Sequence, residues 1–150
     1  VVDGNVIGWV EGRMEFGARA LGNRSILADP RRPDVLHHIN KLVKMRDFWM
    51  PFAPSILAER ENDYIINPKG IEARYKTARP QIVHSADNPE YHELIKSFEE
   101  ITGVGALMNT SFNIHGEAIV CTPEDAIDTF LRCGLHHLLI GSWLISKKNK

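Results

Sequence analysis

The sequence predicts an α/β chain, at the border with α+β. Three observations carry this. Strand-like and helix-like segments alternate without segregating. Two helices are announced by matched caps. The 150 residues, 43% hydrophobic and 25% charged, suit one cored domain. Element by element, Val6–Val10 reads as a strand entered from the Asp3-Gly4-Asn5 turn. Pro33–Met45 places Val35, Leu36, Ile39, Leu42 and Val43 on one helical face. Phe52–Leu57, apolar and flanked by prolines, suits a strand near a sheet edge. Asn88-Pro89-Glu90 offers an N-cap, a Pro at the first helical position and an early acid. Tyr91, Leu94, Ile95 and Phe98 follow on one face, and Gly103 supplies a stop. Thr122-Pro123-Glu124-Asp125 repeats the device, with Asp125 placed for a capping box. Its expected buried face is Ala126, Ile127, Phe130 and Leu131, with Gly134 as C′ residue. Gly105–Met108 and Leu138–Ile145, the latter broken at Gly141-Ser142, read as strands.

Composition excludes several classes. No run of eighteen apolar residues exists, so no membrane span is expected. Cys121 and Cys133 form no CxxC, which argues against a disulfide scaffold or zinc knuckle and fits a reducing, cytoplasmic setting. A chain opening at Val1 with no signal-like segment is expected to be a fragment of a longer protein. The net charge is −1, but it is unevenly spread. Arg13 to Arg46 carries eight Lys/Arg against three acids, whereas Ser85 to Phe130 carries Lys96 against nine acids. Such a division fits either a local anion site or solvated helix faces of opposite sign.

The densest stretch for chemistry runs from Glu11 to Pro30, with GRMEFGARALGNRSILADP following the first residue. Glycines permit close backbone approach to a ligand, and Arg13, Arg19 and Arg24 supply planar forks for phosphate or carboxylate. Surface ion pairs are the alternative, and neither a P-loop nor a Rossmann fingerprint is present. Lys44 and Arg46 end the Pro33 helix, where cations also serve as dipole partners. Lys44 follows Val43 at the edge of the apolar face, where its side chain can reach along the surface. Phe48-Trp49 with Phe52 could stack a base or fill the core. Asn109-Thr110-Ser111-Phe112-Asn113 follows a strand and suits either a phosphate or sugar contact or a plain turn. The pairs His37-His38 and His136-His137 lack metal-ligand spacing, and no metal site is expected.

Four segments in order, GRMEFGARALGNRSILADPR, INKLVKMRDFWMPFAPSIL, RPQIV and ITGVGALMNTSFNIHGEAIVCTPEDA, resemble the C-terminal domain of NodU-type carbamoyltransferases. The resemblance spans nearly the whole chain and implies a YrdC-like fold, a twisted mixed sheet with packed helices. It implies that residues 1–150 form the C-terminal domain of an O-carbamoyltransferase, separated from an N-terminal actin-like domain that would hold iron. In such a domain carbamoyl phosphate is cleaved to carbamate, which attacks the α-phosphorus of ATP, supplied with Mg, to form carbamoyl adenylate. The N-terminal domain of the same chain then passes the carbamoyl group to a hydroxyl, so this fragment would perform only the adenylate-forming half-reaction.

The resemblance carries over residue by residue. Arg19, Lys44, Arg79 and Ser111 match positions that bind the phosphate of carbamoyl phosphate, with Lys44 and Arg19 as the catalytic pair. Arg24, Asn109 and Asn113 stand in the same motifs as candidate nucleotide contacts. Positioning and charge stabilisation dominate phosphoryl-type transfer, which explains why cations are expected instead of a nucleophile. Where many members carry Arg in FRPFAPS, this chain has Met50, and Arg46 is one candidate replacement. Relatives are also longer between Asn67 and Arg79. Two other readings are an RNA-binding YrdC-like module and a degenerate docking domain. The near-neutral charge and lack of an extended basic stripe argue against nucleic acid as a partner.

Overall fold

The structure, a computed structural model, describes residues 1–47, 52–66 and 80–148. The expected strands, joined by two that the sequence does not announce, form a seven-stranded mixed sheet of order β4-β3-β5-β2-β1-β6-β7. Its strands are β1 (Ile7–Val10), β2 (Arg24–Ala28), β3 (Ala53–Leu57), β4 (Gln81–Val83), β5 (Ala106–Ser111), β6 (His137–Ile140) and β7 (Trp143–Ser146). Two pairings, β1 with β6 and β3 with β4, are parallel; the others are antiparallel. Helices α1 (Pro33–His38), α2 (Glu61–Tyr64), α3 (Pro89–Thr102) and α4 (Pro123–Arg132) complete the described elements with two short helical turns. An α/β fold is what the alternation of segments predicts.

Strand alternation divides the core into two layers. Tyr91, Ile95 and Phe98 of α3 pack on Trp9, Leu27, Leu57, Val83 and Leu107 of one sheet face. On the other, Val35, Ile39 and Val43 join Ala126 and Phe130 of α4 over Val10, Ile26, Ala28, Met108 and Leu138. Central β2 is buried at every residue. Both faces covered is the reason its sequence, Arg-Ser-Ile-Leu-Ala, shows no alternation and gives no strand signal.

The caps form as their chemistry requires. The Asn88 side chain accepts from Tyr91 N, and Gly103 takes the left-handed conformation (φ 74°) that ends α3. Thr122 and Asp125 form the reciprocal capping box of α4. Two expectations need correction. Ile127 and Leu131 are exposed, and Thr129 takes a buried place on α4. The helix stops because Cys133 turns extended (φ −102°), without a left-handed Gly134. Strand β3 does lie near a sheet edge as expected, one strand in, with β4 outside it. Pro54 is tolerated there because β4 pairs only from Ser55 onward.

The Pro33 segment also differs from a plain α-helix. After His38 it widens into a π-helical turn, Ile39–Val43, closed by Lys44 N donating to Ile39 O at 2.7 Å. Met45 follows with φ 52°, left-handed although it is not glycine. Such conformations cost about 1–2 kcal/mol for an L-residue and persist where surrounding contacts over-determine them. Here Arg46 N donates to Asn40 O at 2.9 Å and His115 N to Lys44 O at 3.0 Å, fixing the turn from two sides.

Candidate functional site

The starts of β2, β3 and β4 and the end of β5 meet at one end of the sheet. Ser25, Ser55, Gln81, Asn109 and Ser111 share the sheet face that also carries Leu27, Leu57, Val83 and Leu107. The irregular segment 11–23 lies over this end. A loop without secondary structure must find other partners for its backbone, and side chains supply them. Three successive carbonyls are taken from below: Ala20 O by Asn109 Nδ2 at 3.2 Å, Leu21 O by Gln81 Nε2 at 2.8 Å, Gly22 O by Trp9 Nε1 at 2.7 Å. Glu15 Oε1 accepts from three backbone amides, Leu21 N (2.6 Å), Asn23 N (2.7 Å) and Arg24 N (3.3 Å). Gly22, at φ 106°, seats directly on the buried Tyr91 ring, where an added Cβ would lie 2.1 Å from it.

Arg24 takes part in the same clamp. Its guanidinium donates to the carbonyls of Glu11, Gly12, Asn23 and Cys121 at 2.8–3.1 Å, and the residue is buried. The structure thus engages Arg24 in backbone contacts. Arg13 and Arg19 stand exposed on the loop, as does Phe16. Arg79, Met50 and the pair Phe48-Trp49 lie outside the described residues, as does the segment from Asn67 to Arg79.

The clearest convergence is around Lys44. Its side chain does not run along the surface as the helical phase suggests. The wider π-turn directs it inward, and the residue is only 2% exposed. Its ammonium donates to Ser111 O at 2.8 Å, to Ser111 Oγ at 3.1 Å and, through a short contact, to Asn113 Oδ1. Ser111 Oγ donates in turn to Asn113 Oδ1 at 2.8 Å. Among the described residues no carboxylate pairs with Lys44. Burial, reinforced by the positive charge of Arg46, lowers its pKa from 10.5 to about 7.

Arg46 is itself half-buried, gripped through Nε by Asn40 Oδ1 at 2.7 Å and stacked 4.9 Å from the Phe52 ring centre. Its Nη2 is buried with no hydrogen-bond partner among the described residues. Asn109, 3% exposed, completes the group. Its Nδ2 faces Ala20 O, Ser55 Oγ (3.1 Å) and Gln81 Oε1 (3.2 Å), while its Oδ1 has no donor among the described residues. No group of three or more His, Cys, Asp or Glu side chains among the described residues is arranged to hold a metal ion. No helix of the described residues is long and apolar enough to cross a membrane.

Of the residues singled out in the sequence, Lys44, Ser111 and Asn113 are brought into direct contact, and Asn109 lies two residues from Ser111 on the same strand face. Glu15, Gln81, Ser55 and Trp9 were not foreseen. Gln81 holds a loop carbonyl 60 positions away and Ser55 bonds to the Gln81 and Asn109 side chains, contacts that no local pattern reveals. Glu15 alone carried a signal, as an acid within a glycine- and arginine-rich stretch.

This geometry belongs to a domain found at the end of carbamoyl-transferring proteins. The family model described as "Carbamoyltransferase C-terminus" matches residues 1–147, and the chain is a member of that family. It is 42% identical over 171 residues to nodulation protein NolO of Bradyrhizobium diazoefficiens, covering 99% of this chain and 31% of that protein. It is 32% identical over 156 residues to a 3'-hydroxymethylcephem-O-carbamoyltransferase of Amycolatopsis lactamdurans, covering 92% of this chain and 30% of the enzyme. An uncharacterised protein of Methanocaldococcus jannaschii is 45% identical over 168 residues, covering 99% and 28%. The chain therefore spans less than a third of the length of these relatives. Alignments of 168 and 171 positions also exceed its 150 residues, so these relatives carry additional residues inside the matched region.

Proposed function

We propose that this chain is the carbamoyl-adenylate-forming domain of an O-carbamoyltransferase, binding carbamoyl phosphate and Mg-ATP at the sheet end that holds Lys44. One observation supports this above the others: a buried lysine with neutral partners, next to a second cation and, among the described residues, facing no carboxylate. Burying a cation without a counter-charge costs free energy unless an anion completes the site. A phosphate group at Lys44 and Ser111 would supply that charge and restore the ammonium's usual basicity. Arg19, displayed on the loop that Glu15 and Arg24 brace, is positioned by this reading to approach the same ligand, and Arg79 is a further candidate.

The reaction proposed has two steps. Carbamoyl phosphate is hydrolysed to carbamate and inorganic phosphate. A carbamate oxygen then attacks the α-phosphorus of ATP, the bond to the bridging oxygen breaks, and pyrophosphate leaves. The chain's cations stabilise charge on the phosphates during both steps. Transfer from the adenylate to a hydroxyl is assigned to an N-terminal actin-like, iron-holding domain of the whole protein, and the setting to the cytoplasm. The fold is proposed to be YrdC-like.

Exchange of labelled pyrophosphate into ATP tests the reading on this chain. Exchange that requires carbamoyl phosphate and is lost in Lys44→Ala is expected, without carbamoylation of an added alcohol. ATP and carbamoyl phosphate leaving the chain's melting temperature unchanged, with no exchange, would favour a docking domain.

A further inference from the structure

Asn109 carries a buried acceptor that no described residue uses. Its amide nitrogen is held on one side by Ala20 O, Ser55 Oγ and Gln81 Oε1, which turns the oxygen away from them. That oxygen is shut off from solvent and has no donor among the described residues. Leaving a buried acceptor unpaired is unfavourable, and native proteins rarely do so without a ligand or ordered water completing the arrangement. The orientation is not arbitrary, since a flipped amide would set its oxygen against the Ala20 carbonyl.

The position of this acceptor limits what it can meet. Asn109 and Ser111 are same-face neighbours on β5, a spacing of about 6–7 Å along a strand. Ser111 Oγ and Lys44 Nζ are 3.1 Å apart and mark the anion end. A ligand joining the two must place an N–H donor a few bonds from a phosphate. In carbamoyl phosphate the amide nitrogen is separated from phosphorus by one carbon and one oxygen. That separation is shorter than the strand spacing, so hydrogen bonds rising from the two side chains can converge on the two ends of one molecule.

We propose that Asn109 Oδ1 accepts a hydrogen bond from the carbamoyl NH2, so that Asn109 selects a phosphorylated carbamate over an acyl phosphate with a methyl group in that place. This rests on the reading of the Lys44–Ser111 end as a phosphate site. Asn109 then has two roles on two atoms: Nδ2 anchors the loop at Ala20, and Oδ1 reads the substrate. A site built to hydrogen-bond an N–H rejects the analogue lacking it, because its own buried acceptor is left unpaired.

The test compares freshly dissolved carbamoyl phosphate, acetyl phosphate and inorganic phosphate by calorimetry on the 150-residue chain. Acetyl phosphate matches the carbamoyl compound in charge and nearly in shape, with CH3 for NH2. The proposal expects carbamoyl phosphate to bind roughly five- to 150-fold more tightly than acetyl phosphate. Asn109→Leu should remove that preference, bringing the affinities for carbamoyl and acetyl phosphate together. Asn109→Asp, which keeps an acceptor, should retain part of it. Equal affinities for carbamoyl and acetyl phosphate in the wild-type chain would overturn the assignment of Asn109 while leaving the phosphate site standing. No binding of carbamoyl phosphate or inorganic phosphate would remove the functional reading and this inference with it. Should Asn109→Leu fail to fold, the wild-type comparison decides.

Discussion

Replacing Lys44 by Met should change how stability responds to pH. In the folded chain the Lys44 ammonium is 2% exposed and its pKa falls to about 7 from 10.5. The unfolded chain therefore holds this proton more tightly. Below about pH 7 both states are protonated and the full penalty of the buried charge is present. As pH rises from 7 toward 10.5 the folded state sheds the proton first, and the penalty is progressively relieved. Integrated between about pH 6 and pH 9, wild-type stability should rise by about 2–3 kcal/mol relative to Lys44→Met, in which no proton titrates at this position. Met fills similar volume but leaves Ser111 O, Ser111 Oγ and Asn113 Oδ1 without the ammonium, which offsets part of the gain by about 1 kcal/mol at every pH. Subtracting the two urea-unfolding curves at each pH cancels the other titrating groups. A difference flat to within about 0.5 kcal/mol across that range would refute the claim that Lys44 is a buried cation under strain. Saturating phosphate should reverse the trend at neutral pH by stabilising the wild type alone.

Other outcomes follow from the loop and the turn. Glu15→Gln leaves one carbonyl-type oxygen for three amides, and should cost about 1–3 kcal/mol and speed hydrogen exchange at Leu21, Asn23 and Arg24. Gly22→Ala sets a methyl 2.1 Å from the Tyr91 ring at φ 106°, and should lower stability by about 3 kcal/mol or more on denaturant titration. Met45→Gly relieves a left-handed residue at φ 52° and should leave stability unchanged or raise it by up to about 1 kcal/mol, whereas Met45→Val should lower it by about 1–2 kcal/mol.

Local signals carried most of the fold. Asn88-Pro89 and Thr122-Pro123 announce α3 and α4 because a cap is satisfied within its own first turn. Strand β2 was hidden for the opposite reason. Arg24 and Ser25 resemble ligand residues, yet they open a central strand, and Arg24 finds a carbonyl partner in Cys121, 97 positions away. The three-residue β4 is too short to show a period. On α4, Ile127 and Leu131 fit the apolar stripe by spacing, but Ala126, Thr129 and Phe130 form its buried face. At the site, residue types pointed to anion chemistry, and the resemblance singled out Lys44, Ser111 and Asn113. Inward burial of Lys44 depends on a π-turn that no 3.6-residue period describes. The supports at Glu15, Gln81 and Trp9 become visible only once the loop lies across the sheet end.

The central claim is that Lys44 and Ser111 receive the phosphate of carbamoyl phosphate. Titration of the 150-residue chain with carbamoyl phosphate, beside Lys44→Ala shown by circular dichroism to be folded, tests it most directly. Saturable binding that weakens roughly tenfold to 150-fold in the variant is the predicted result. Equal affinity in the two proteins, or no binding by the wild type at millimolar ligand, would contradict it.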